Sequence, residues 1–117
     1  MAQQHVEFDD MRSTTIRPQY AIIFRYNVRP ETQETYFRYV IGDFTPALQE
    51  HEIYMQDAWH VAWGNYPERQ LEYVTENFDC IRRLLQSPEW ERLEGRLKSF
   101  TEKYSMHIQR YTGAFKV

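Results

Sequence analysis

A single cysteine, Cys80, has no second thiol in the chain to pair with, so an intramolecular disulfide scaffold is excluded. Glycine is as scarce: Gly42, Gly64, Gly95 and Gly113 are isolated, and none belongs to a Gly-rich run of the kind that cradles a phosphate. A Gly-x-Ser-x-Gly elbow and a Cys/His arrangement are both missing, which argues against a hydrolase. The 14 Lys and Arg residues are scattered among 17 Asp and Glu, for a net charge of −3. No basic cluster is present to neutralise a phosphate backbone, so nucleic acid is not an expected partner. No apolar run approaches the roughly 20 residues of a membrane-spanning helix, and mean hydropathy is −0.75. The stretch Met1–Pro18 lacks a charged-then-apolar leader, and with the lone thiol this sets the expectation of a cytoplasmic protein outside any membrane.

What the chain does have is aromatic bulk. Nine Tyr, seven Phe and three Trp in 117 residues give a composition that can build a core, and the length suits one domain. Residues 1–18 are polar and aperiodic, an arm that is either mobile or laid on a partner subunit, and residues 19–117 carry the domain.

The apolar segments follow in a βαββαβ order. Tyr20–Val28 alternates as a strand, with Tyr20, Ile22, Phe24, Tyr26 and Val28 on one face and Ala21, Ile23, Arg25 and Asn27 on the other. Arg29-Pro30-Glu31 ends it and starts a helix whose stripe is Phe37, Val40, Ile41, Phe44, Ala47 and Leu48. Gly42 and Pro46 should break that helix near Asp43–Thr45. Tyr54–Trp63 reads as a second strand, with Met55, Asp57, Trp59, Val61 and Trp63 on one face and Tyr54, Gln56, Ala58, His60 and Ala62 on the other. The Gly64–Glu68 loop turns it into a hairpin with Gln70–Thr75. Phe78–Gln86 is a short helix, Ser87-Pro88-Glu89 restarts a longer one, and Trp90, Leu93, Leu97, Phe100 and Tyr104 form its apolar stripe. Ser105–Tyr111 is the last strand.

That order specifies an α+β, ferredoxin-like unit: a four-stranded antiparallel sheet with two helices, each in two pieces, on one face. The other face then needs a partner, which predicts an obligate homodimer. The hairpin, the short helix, the segment Leu85-Gln86-Ser87-Pro88-Glu89-Trp90 with Leu93, and the final strand resemble the dimeric α/β-barrel superfamily, and among its members the small NIPSNAP-like ones. The resemblance implies two sheets packed face to face into an α/β barrel. It also implies a cleft for a small aromatic or polyketide-like ligand, and chemistry of the cofactor-independent monooxygenase, cyclase or isomerase kind. A haem-degrading relative would place a histidine on the second helix, and 78–104 has none.

Within that frame His60 is the acid–base candidate, with Arg25 from the first strand near it. The plain alternative is that both hydrogen-bond across the dimer interface. Tyr26, Trp59, Trp63 and Trp90 are the candidate ligand walls, against the alternative that they are filled core. His5, His51, His60 and His107 lack ligand spacing, so neither metal nor cofactor is expected. Cys80 reads as a buried small hydrophobe. Two functions follow: a dimeric small-molecule-binding protein or cofactor-free enzyme, and a non-catalytic dimeric assembly module. An open cavity between sheet and helices favours the first, a filled core the second.

Overall fold

The computed structural model describes residues 2–6, 16–62 and 68–113, with side chains over 16–58 and 68–113. The elements are β1 (Ala2–Val6), β2 (Tyr20–Val28), α1 (Gln33–Tyr39), α2 (Thr45–Glu50), β3 (Tyr54–Ala62), β4 (Glu68–Thr75), α3 (Phe78–Gln86), α4 (Pro88–Ser99) and β5 (Thr101–Arg110). A 3-10 turn at Pro30–Thr32 leads into α1, and a π-helical segment, Val40–Phe44, joins α1 to α2. The sheet is antiparallel in the order β1-β3-β4-β2-β5. Strands β2 to β5 are the four of the ferredoxin-like unit. The fifth, β1, comes from the N-terminal arm and pairs Ala2 with Ala62 through Val6 with Ala58 along the β3 edge, a role that its polar, aperiodic sequence does not announce. The Gly64–Pro67 part of the hairpin loop lies outside the described residues, but its two strands pair as expected.

The π segment has a simple cause. Pro46 has no N–H to give the Gly42 carbonyl and its ring would press on that group, so the turn widens and Thr45 donates its N–H to the Val40 carbonyl five residues back. One extra residue in the turn rotates everything before it. The buried stripe becomes Tyr36, Tyr39, Val40, Phe44, Thr45 and Leu48, while Phe37, assigned to the core by unbroken helical spacing, is 51% exposed. This corrects the stripe read from the sequence.

Two further corrections concern strands. The register of β3 against β4 shifts between Met55 and Asp57, so Met55 and Ala58 both enter the core and the alternation changes phase there. Helix α4 ends at Ser99, and Tyr104, counted above as its last apolar position, belongs to β5. Lys103 takes φ of 58° where the β2/β5 register shifts between Arg25 and Asn27, and the irregularity leaves the half-buried Tyr104 packed on the core.

Between sheet and helices the space is filled by rings. Phe24 meets Phe44 at 5.4 Å, Tyr73 at 5.7 Å and Trp90 at 6.3 Å between centroids, and Phe44 meets Trp90 at 6.1 Å. On the opposite face Ala21, Glu72 and Val74 are buried within the single chain, while Arg25, Ser105 and His107 are exposed. The row Tyr54, Val74, Ala21, Gln109 sets two small side chains between two larger ones. The face read from sequence as wholly uncovered is therefore divided.

Candidate functional site

The phase change in α1 carries Tyr36 inward against β2. There its hydroxyl meets that of Tyr26 at 2.8 Å, with both side chains at most 2% exposed. Two hydroxyls hold two protons and the bond between them uses one, so whichever donates, the other keeps a proton to offer. Burial is the first cause that raises both phenols above the ordinary tyrosine value, and the proximity of the two groups adds to it for Tyr26. Both are neutral donors near neutral pH.

Arg69 of β4 stands over this pair. Its guanidinium carbon is 5.9 Å from the centroid of the Tyr36 ring, and its charge opposes the rise at both hydroxyls. The side chain is half-buried, and no ion pair among the described residues includes it. Outward from Arg69 runs a groove of about 720 Å³ whose walls include Pro30, Glu31, Glu34, Phe37 and Arg38. Its polar wall is partly self-neutralised, because Glu34 pairs with Arg38 one turn along α1. Arg69 thus lines the groove and also lies over the ring of the buried Tyr36.

The other buried tyrosines are tied down. Tyr39 donates its hydroxyl to the Leu93 carbonyl at 2.8 Å, and burial pushes its phenol up to about 12. Tyr73 and Thr45 share a hydroxyl bond at 2.8 Å, and burial again raises the phenol. A second cavity, about 310 Å³, is lined by Glu52, Tyr54, Thr75, Asn77 and Cys80. The Cys80 thiol lies 3.8 Å from Glu52 Oε1 and is buried, as the sequence suggests. No cluster of three or more His, Cys, Asp or Glu residues able to hold a metal occurs among the described residues.

The residues singled out from the sequence fall in different places. Tyr26 belongs to the hydroxyl pair, whereas Trp90, 7% exposed, packs in the ring cluster with Phe24 and Phe44. Arg25 is exposed on the face away from the helices, where its Nε donates to Gln70 Oε1 at 2.9 Å and stands 3.9 Å from Glu68 Oε2. Trp63 and the side chains of Trp59 and His60 lie outside the described residues. The backbone register still groups them: Trp59 is opposite Gln70, which is opposite Arg25, while His60 is opposite Arg69, which is opposite Tyr26. His60 and Arg25 are therefore in adjacent rows with β4 between their strands.

Sequence reasoning missed Tyr36 and Arg69. Pro46 was the available signal for Tyr36, since it marks where the helical phase must slip. Arg69 had none, because it sits at the end of a loop-like segment among other charged residues.

No family model matches the sequence, and no curated protein matches it. Solved structures do match. A NIPSNAP family protein of unknown function from Agrobacterium tumefaciens superposes with a TM-score of 0.59 at 14% identity, over 80% of this chain and 88% of that one. An uncharacterised NIPSNAP domain protein from Burkholderia xenovorans gives 0.58 at 10% identity, over 84% and 99%. A dimeric ferredoxin-like protein from an uncultured marine organism gives 0.57 at 12% identity, over 86% and 94%. At such identities the likeness is one of fold, and the chain has the α+β ferredoxin-like fold shared by these NIPSNAP-like and dimeric ferredoxin-like proteins.

Proposed function

We propose that this protein is a cytoplasmic homodimer that holds a small organic molecule in the groove at Arg69 and acts on it without a cofactor. The observation that carries this reading is the buried Tyr26–Tyr36 hydroxyl pair beneath a half-buried guanidinium that also lines that groove. Neutral phenols and a fixed cation are the donors that stabilise negative charge building on a carbonyl oxygen, as happens when an aromatic or polyketide-like compound is enolised, cyclised or oxygenated. The row that joins His60 to Arg69 and Tyr26 supports His60 as the proton-transfer partner, with Trp59 and Trp63 on the same strand segment as candidate walls. The lone free thiol suits a reducing compartment. The dimeric ferredoxin-like neighbour supports the homodimer, with the exposed Arg25, Ser105 and His107 on the sheet face that would meet a twin.

A second reading, a non-catalytic dimeric module, is favoured by the packed rings of Phe24, Phe44, Tyr73 and Trp90, which fill the space between them with one another. Crystals soaked with aryl ketones separate the two. Density against Arg69 supports the first, and soaked crystals whose groove stays empty support the second.

A further inference from the structure

We infer that the groove selects a carboxylic acid with an apolar body, its carboxylate held by Arg69. This rests on the reading of the groove as a ligand site and narrows what it takes. The formal charges on the groove wall are those of Glu31, Glu34, Arg38 and Arg69. Glu34 and Arg38 are spent on each other, both exposed on one side of α1. Glu31 is exposed on the 3-10 turn. Arg69 differs from all three, being half-buried, placed over the Tyr36 ring and absent from the ion pairs among the described residues.

Withdrawing a guanidinium from water without giving it a carboxylate costs stability, and an anion that arrives in the groove recovers it. The planar fork of arginine matches the two oxygens of a carboxylate. The Tyr26–Tyr36 pair beneath it always has one proton uncommitted to the bond between them. Phe37, pushed out of the core by the π segment and 51% exposed, offers its ring on the same groove for the apolar part of the ligand. Sheet, helix phase and charge thus converge on an acid rather than a cation.

Isothermal titration calorimetry with benzoate and its neutral isostere benzamide, on the full chain, tests this. Benzoate should bind about tenfold or more tightly than benzamide, the gain of a charge-assisted pair over a neutral one. Arg69→Gln should abolish the preference, and Arg82→Gln, an exposed position on α3 that does not line the groove, should keep it. Circular dichroism melting reports whether the Gln variant folds. If it does not, Arg69→Lys, which keeps the charge and loses the fork, should weaken benzoate and leave benzamide unchanged. Equal affinity for the two probes, a preference that survives at Arg69→Gln, or benzoate binding unaltered by Arg69→Lys would overturn the inference. An aryl ketone in the groove of soaked crystals, together with indifference to benzoate, would remove the acid and leave the ligand site standing. An empty groove with every probe would remove both.

Discussion

Removing both hydroxyls of the Tyr26–Tyr36 pair should cost less than the sum of removing each alone. The two oxygens are 2.8 Å apart and the side chains are 1% and 2% exposed, so neither hydroxyl has ready access to bulk water. Tyr36→Phe keeps the ring beneath Arg69 and its edge-on contact with Tyr26, whose centroid is 5.7 Å away. It leaves Tyr26 with a buried hydroxyl that has lost its partner, at a cost of about 1–3 kcal/mol. Tyr26→Phe does the same to Tyr36. The double variant removes both polar groups and leaves an apolar contact, so its cost should fall below the sum of the singles by about 1–2 kcal/mol. Urea unfolding followed by circular dichroism at one fixed protomer concentration measures the cycle. In thermal melts each single variant should lose roughly 4 °C per kcal/mol, interpolated for a chain of this size. Additive costs would show that the two hydroxyls do not depend on each other, and the account of the site would lose its base.

Glu52 closes α2 with φ of 62°, Ile53 and Glu52 donating to the Leu48 and Gln49 carbonyls, the position where helices ordinarily end on glycine. Glu52→Gly should therefore stabilise by about 0.5–1 kcal/mol in the same urea assay, and a loss of stability would mean that the Glu52 side chain holds more than the strain costs. Stability should also fall steeply with base. Tyrosines raised in the folded state keep their protons while those of the unfolded chain ionise, so the unfolded state binds fewer protons above the ordinary value of 10.0 and the stabilisation drains away from there through about 12, where Tyr39 titrates. A melting temperature flat across that window would contradict the burial assigned to the tyrosines. Sedimentation equilibrium at micromolar protomer should give twice the chain mass of 14.3 kDa, and a folded monomer would dispose of the dimer.

Much of the architecture was legible because it rests on local periodicity. Alternation over Tyr20–Val28, the Ser87-Pro88-Glu89 restart and the break expected at Gly42 and Pro46 all appear where the residues place them. The site was less legible, for one physical reason repeated. Each place where the structure departs from the sequence pattern is a slip in phase: the π segment before Thr45, the irregularity between Met55 and Asp57, and the positive φ at Lys103. A one-residue insertion in a helix turns Tyr36 in and Phe37 out, and one in a strand exchanges the rows of Trp59 and His60. Composition records none of this. The candidate pair of His60 and Arg25 assumed an unbroken alternation, whereas the register ties His60 to Arg69 and Tyr26. The N-terminal strand was missed because edge pairing by backbone needs no side-chain pattern.

The claim at the centre is that ligand arrives at the Tyr26–Tyr36–Arg69 end of the layer and not in the ring cluster. Tyrosine Cζ carbon resonances, assigned by single Tyr→Phe variants and followed through a benzoate titration, test it directly. Tyr26 and Tyr36 should shift with ligand while Tyr73, bonded to Thr45 in the packed interior, stays in place. A Tyr73 that moves with an unmoved Tyr36 would put the ligand elsewhere and contradict the account.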